Sequence, residues 1–165
     1  MVGVFGDSKA DKKEARFAEE LGREIAKRGY VLLTGARGGI MKAAAKGAKR
    51  EQGLTLGILP DACKTKANRF TDIVIPTGMG STRNALNART ADYVIVLGGK
   101  SGTLSEIAFS WLYGKPIFAV TGFGGWAEKL ASQQIDNRRG DCIVAVKSPK
   151  EALDMIDEQE EAKET

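Results

Sequence analysis

A chain of 165 residues, 42% hydrophobic and 28% charged, is long enough to bury a substantial core and is expected to form one domain. It carries 25 Lys and Arg against 21 Asp and Glu, unevenly placed: residues 151–165 hold seven acids and one Lys, leaving 24 basic and 14 acidic groups before them. There is no histidine, which excludes Ser-His-Asp chemistry, histidine bases and histidine-ligated metals, so no metal site is expected.

The elements alternate along the chain. Val2 to Phe5 reads as a short buried strand ending in Gly6-Asp7-Ser8. Residues 11–28 follow as an amphipathic helix, with Ala18, Leu21, Gly22 and Ile25 on one face, stopped by Gly29. Tyr30 to Leu33 is the second strand, and Thr34-Gly35-Ala36-Arg37-Gly38-Gly39 the first of two glycine-rich turns. A helix over 40–51, built of Ala and Gly on one face, suits close packing on a sheet. Leu54 to Leu59 is a third strand stopped by Pro60, residues 61–71 a loop, and Ile73 to Ile75 a strand ending at Pro76-Thr77-Gly78. A helix is expected from Ser81 or Thr82, and then Tyr93 to Leu97, the most continuous apolar run, as the central strand.

The second glycine-rich turn, Gly98-Gly99-Lys100-Ser101-Gly102-Thr103, opens a helix to about Tyr113. On it Leu104, Ile107, Ala108, Trp111 and Leu112 form the expected core stripe, with Glu106, Phe109, Ser110 and Tyr113 opposite. Ile117 to Val120 is a strand, 125–135 a helix and Ile143 to Val146 the last strand. Ser148-Pro149-Lys150-Glu151 reads as a capping box with Pro at the first helical position. The domain is expected to span 1–156, with 157–165 as a frayed acidic tail.

Short strands separated by helices imply a doubly wound, Rossmann-like α/β domain, its mostly parallel sheet covered by helices on both faces. Ligands of such folds bind outside the carboxyl ends of the strands, where both glycine-rich turns fall. Backbone N–H groups at a strand-to-helix turn, together with the helix dipole, favour an anion. Gly35, Gly38 and Gly39 from the first turn, and Gly98, Gly99, Lys100, Ser101, Gly102 and Thr103 from the second, are therefore the candidate phosphate- or nucleotide-binding residues.

Neither standard nucleotide fingerprint is complete. Gly99-Lys100-Ser101 resembles the end of a P-loop, but Val94 stands where that loop needs its first glycine. Gly3-Val4-Phe5-Gly6-Asp7-Ser8 has Phe5 and Ser8 where the dinucleotide motif needs its second and third glycines, and no acid ends the second strand. The basic residues are dispersed and aromatics sparse, so a small anionic ligand fits better than nucleic acid, which is not expected as a partner. No apolar run is long enough for a membrane, and Gly6, Asp7 and Ser8 interrupt any leader. Two distant cysteines, Cys63 and Cys142, fit a reducing cytoplasm.

Two residues carry a sharper reading. Glu106 closes a T-x-x-E capping box with Thr103, so it either caps its own helix or presents a carboxylate beside the anion cradle. Arg83 opens its helix, where the dipole disfavours a cation; it is either a solvated surface residue or a clamp for phosphate or carboxylate.

The segment Pro76 to Asn84, the Gly98 to Glu106 motif and Gly35 to Met41 together resemble the family once labelled "possible lysine decarboxylase". That family includes the nucleoside 5′-monophosphate phosphoribohydrolases called Lonely Guy, and this short version is most similar to the branch containing the molybdenum cofactor carrier protein. The similarity runs over residues 2–147. Gly98, Gly99, Lys100, Ser101, Gly102, Thr103 and Glu106 match the signature P-G-G-x-G-T-x-x-E, with Arg83 fifteen residues before Gly98. Gly98 stands for the usual Pro, and Lys100 for a Gly.

The resemblance implies that Arg83 and Glu106 are the catalytic pair of an N-glycosidic hydrolase. The carboxylate would meet an oxocarbenium-like transition state, and free base and ribose 5-phosphate would be released. The alternative is a non-catalytic nucleotide- or pterin-binding carrier. Either way the expected partner is a small anion, a nucleoside monophosphate or a pterin, with no further cofactor. A homodimer is expected through the face carrying Phe109 and Tyr113.

Overall fold

The computed structural model describes residues 1–164, with side chains to Lys163; Thr165, the end of the expected tail, lies outside the described residues. The chain runs β1 (Val2–Gly6), α1 (Lys12–Lys27), β2 (Leu32–Thr34), α2 (Gly39–Arg50), β3 (Thr55–Leu59), β4 (Ile73–Pro76), α3 (Asn84–Thr90), β5 (Tyr93–Leu97), α4 (Ser101–Leu112), β6 (Ile117–Val120), α5 (Gly125–Leu130), β7 (Val144–Val146) and α6 (Pro149–Glu164). Among the described residues no helix is long and apolar enough to cross a membrane.

The strands form one all-parallel sheet in the order β4-β3-β2-β1-β5-β6-β7. The fold is the doubly wound, Rossmann-like α/β architecture. β5 shows why its sequence is a continuous apolar run: Tyr93, Ile95 and Leu97 enter the core under α1, α2 and α6, while Val94 and Val96 enter the core under α4 and α5. The chain winds outward from β1 through β2 and β3 to β4, then returns to pair β5 with the other side of β1. That reversal opens a crevice at the carboxyl ends of β1 and β5.

Two walls of the crevice are fixed by one helix pair. α1 is started by Asp11, whose side chain accepts from Glu14 N while Glu14 accepts from Asp11 N, both at 2.8 Å. α1 and α2 cross backbone against backbone: a Cβ on Gly22 would lie 1.9 Å from Ala44 O, and one on Gly47 1.8 Å from Glu19 O. This close approach holds the turns after β1 and β2 at a set spacing.

The structure corrects several expectations. The terminal helix does not fray at 157 but continues to Glu164. Its acids have partners: Asp157 accepts from Tyr30 Oη at 2.7 Å and lies 3.3 Å from Arg28 Nη1, and Glu160 accepts from Tyr93 Oη and pairs with Lys163. Composition marks these residues as a solvated tail, but tertiary charge pairing orders them. Ser148 does accept from Glu151 N, at 3.1 Å, while Glu151 reaches back to Lys147 N. The helix expected over 125–135 ends at Leu130, and the loop over 61–71 contains a single 3-10 turn at Lys64–Lys66.

The crossing predicts a large asymmetry between glycines. Gly47→Val should cost about 3 kcal/mol, the upper end for overpacking, because its first side-chain atom meets backbone. Gly140→Ala, with open space around the added carbon, should stay within about 0.5 kcal/mol. Urea unfolding midpoints of the two variants check this.

Candidate functional site

The crevice holds a cleft of about 420 Å³. Its walls come from the turn after β1 (Gly6, Asp7, Ser8), the start of α2 and the turn before it (Arg37, Met41), Pro60 after β3, the Gly80–Arg83 3-10 turn, and the first two turns of α4 (Gly102, Thr103, Glu106). The site residues expected from the sequence therefore divide. Arg83, Gly102, Thr103 and Glu106 are brought together in the lining.

Arg83 lies at the end of the 3-10 turn that leads into α3 and is 7% exposed, not a solvated surface residue. Its Nε and Nη1 are buried and have no hydrogen-bond partner among the described residues. Glu106 Oε1 is 4.0 Å from Nη1, too far for a hydrogen bond. Burial lowers the guanidinium's affinity for its proton, as does the charge of Arg37, while Glu106 and Asp61 act the other way. The arrangement needs Gly35, where a Cβ would stand 2.2 Å from Arg83 Nη1. Gly35 thus makes room for the guanidinium, a different role from the phosphate cradle expected of it.

Glu106 is 6% exposed. The capping expectation fails because α4 starts at Ser101, which puts Thr103 inside the helix and Glu106 in its second turn. Asn87 Nδ2 of α3 donates to Glu106 Oε1 at 2.9 Å. Burial pushes the Glu106 carboxyl up to about 7, against the opposing pull of Asn87 and Arg83. The expected core stripe of α4 shifts as well. Ile107 and Trp111 are buried as expected, but Leu112 is 50% exposed, and Ser110 is buried with Glu106 on the side facing α3. Polar residues there are partly paired: Ser110 Oγ donates to Glu106 O at 2.7 Å and Asn84 Nδ2 to Ser105 Oγ at 2.9 Å, while Asn87 Oδ1 is buried without a partner among the described residues.

No side chain caps α4. Its first N–H groups therefore open beside the cleft, with Gly102 presenting bare backbone: an added Cβ would meet only Asn84 Nδ2, at 3.9 Å. Lys100 and Ser101 are exposed and lie outside the lining. Gly98 and Gly99 turn away from the cleft, their carbonyls accepting from Ala127 N at 2.9 Å and Trp126 N at 3.0 Å to hold α5. Gly38 and Gly39 press on the turn after β1, where Ile40 N donates to Asp7 O at 3.0 Å. Asp7, Ser8 and Arg37 reach the lining unforeseen; the position of Gly6-Asp7-Ser8 at the end of β1 was the available signal, overshadowed by its failure as a dinucleotide fingerprint. Among the described residues no cluster of acidic or sulfur side chains could hold a metal ion.

The model of the SLOG cluster4 family matches residues 1–153, and the chain belongs to that family. An uncharacterized protein of Archaeoglobus fulgidus is 43% identical over 119 residues, 72% of this chain and 78% of that protein. The molybdenum cofactor binding protein of Rippkaea orientalis has a similar structure, with a TM-score of 0.85, 34% identity, and coverage of 95% of this chain and 94% of that one. The molybdenum cofactor carrier protein of Chlamydomonas reinhardtii gives a TM-score of 0.83, 31% identity and 95% coverage of both chains.

The raised Glu106 carboxyl has a stability consequence whose sign follows from linkage. A carboxyl whose folded pKa exceeds its unfolded one stabilises the fold fully below the unfolded value, and this contribution is lost as pH rises through about 7. Glu106→Gln, which cannot ionise, should therefore be more stable than the parent at alkaline pH by an amount on the order of 3 kcal/mol. Near the unfolded carboxylate pKa the two should nearly coincide. Denaturant titrations at both pH extremes measure the difference.

Proposed function

We propose that this SLOG cluster4 protein binds a small anionic ligand of the pterin class in the cleft at β1 and β5, and carries it without chemical turnover. One observation carries the reading: the Arg83 guanidinium is buried with Nε and Nη1 lacking acceptors, beside the uncapped start of α4. A planar cation in that state matches a phosphate or carboxylate, and the helix terminus supplies neutral donors to the same group. A volume of about 420 Å³ fits a small molecule. The likeness to molybdenum cofactor binding and carrier proteins over nearly the whole chain supports a pterin ligand in particular. Arg83 and the N–H groups of Gly102 and Thr103 would hold its anionic end, and Asp7, Ser8 and Arg37 would border the remainder.

Hydrolysis of a nucleoside monophosphate is the second reading, favoured by Glu106 standing beside Arg83. That chemistry needs an ionised carboxylate against a developing oxocarbenium ion. Burial pushes Glu106 to about 7, leaving much of it neutral at neutral pH.

A two-fold homodimer through the outer face of α3 and α4 belongs to the same proposal. Leu86 and Leu112 are 39% and 50% exposed there. They flank the stacked rings of Phe109 and Tyr113, whose centroids are 6.0 Å apart, with Arg89 over Tyr113 at 4.9 Å. Two exposed free thiols, Cys63 and Cys142, favour a reducing cytoplasm.

Titrating the protein with a phosphorylated pterin and with a panel of nucleoside 5′-monophosphates, while assaying for released base, tests the binding reading. Saturable pterin binding without base release is expected. Arg83→Ala should weaken binding about 10- to 100-fold, the loss of charge-assisted hydrogen bonds. Gly102→Val should abolish binding with an unchanged circular dichroism spectrum. Release of base that Glu106→Gln slows at least about a hundredfold would instead establish the hydrolase. For the assembly, light scattering should give twice the 17.7 kDa chain mass, reverting to one chain when Leu112 and Phe109 are both replaced by Lys.

A further inference from the structure

Glu106 sits in the cleft in a way that anion binding must disturb. Its Oε1 accepts from Asn87 Nδ2, and its Oε2 has no protein partner among the described residues. Arg83 Nη1, at 4.0 Å, is the nearby cation that favours the charged carboxylate, yet makes no hydrogen bond to it. An anion that pairs with the Arg83 guanidinium from the cleft draws on the same cation, brings a second negative charge beside Glu106 and expels water. All three changes disfavour a carboxylate there.

Among the described residues lining the cleft, the one cation besides Arg83 is Arg37, and it already has an acidic partner. The turn after β1 contributes Asp7, and the turn after β2 contributes Arg37, which is held by Asp61 at 2.6 Å. From α3 the facing group is the amide of Asn87. α5 contributes Glu128, bound to Gly122 N at 2.5 Å, and Lys129, over the Trp126 ring at 4.7 Å. The segments of β1, β5 and β6 under α4 carry apolar side chains.

We propose that Glu106 takes part in binding as a neutral carboxylic acid: the Oε2 hydroxyl donates to the bound anion, solvent supplies the proton, and each anion enters with one proton. The proposal rests on the anion-binding reading of the cleft and assigns Glu106 a binding role opposite in charge to that of a hydrolytic carboxylate. It also makes Glu106 a selector, since a donor at this position favours a ligand with an acceptor next to its anionic group. Burial already pushes the carboxyl to about 7, so little further shift is needed. The absence of histidine leaves no imidazole to compete for the proton.

Inorganic sulfate is the probe, because it exchanges no proton of its own near neutrality. Calorimetric titrations of the whole chain in buffers of different ionisation enthalpy should show uptake approaching one proton per sulfate above neutral pH. The sulfate Kd should weaken about tenfold from about pH 6 to about pH 8, as expected for one carboxyl near 7 that must be protonated in the complex. In Glu106→Gln, whose amide donates without ionising, Kd should change by less than about twofold over the same range and proton uptake should vanish. Asp7→Asn should retain the parent's pH slope. Sulfate binding with no proton uptake, or a slope that survives in Glu106→Gln, overturns this proposal while leaving the anion-binding reading intact. If sulfate fails to bind at about pH 6 and Arg83→Ala behaves like the parent, the anion-binding reading falls and this proposal falls with it.

Discussion

Arg83 is kept inside the cleft wall with two nitrogens lacking acceptors, and much of the surrounding structure exists to hold it there. Burying a cation without hydrogen bonds is costly, and a nearby carboxylate offsets part of that cost through its charge. Glu106, at 4.0 Å, does so without a hydrogen bond, with Asn87 holding the one oxygen that approaches. Gly35 clears the volume that the guanidinium occupies, and the 3-10 turn before α3 aims the side chain inward. The fold thus stores an unsatisfied charge at the point where the parallel sheet reverses direction.

The two uses proposed for this cleft differ in the charge state they ask of Glu106. A hydrolase needs its carboxylate ionised while positive charge develops on a sugar. A carrier gains more from a group that can be neutral, because a fixed carboxylate would repel the anion that Arg83 attracts. The same Glu106 in the same place serves either end, depending on how far burial raises it.

Much of this was legible in the sequence, for identifiable reasons. Tyr93 to Leu97 announced a doubly covered strand through unbroken hydrophobicity, and the α1 face of Ala18, Leu21, Gly22 and Ile25 is buried as its spacing requires. Arg83 stood out as a cation at a helix start, against the dipole, and Glu106 as a carboxylate one turn beyond a glycine-rich turn, where capping and ligand binding read alike. What stayed hidden depends on partners distant in sequence. Gly35 reads as a flexible turn residue until the guanidinium beside it is known. Leu112 reads as core until α4 is seen to bury Ser110 and Glu106 against α3 instead. The acids after residue 156 read as a tail because Arg28, Tyr30 and Tyr93, which bind them, lie far back in the chain.

The backbone-to-backbone seam of α1 and α2 has a mechanical consequence. Helices that touch through Gly22 and Gly47 have no side-chain layer to act as a lubricant, so neither can slide or tilt without breaking van der Waals contact along the seam. The turns that carry Asp7, Ser8 and Arg37 move as one stiff jaw. Across from it, Met79 to Thr82 are exposed, with Gly78 and Gly80 on either side of Met79. The wall that carries Asp7, Ser8 and Arg37 is braced by this seam, whereas the wall at Met79 to Thr82, next to Arg83, has no such brace and faces solvent.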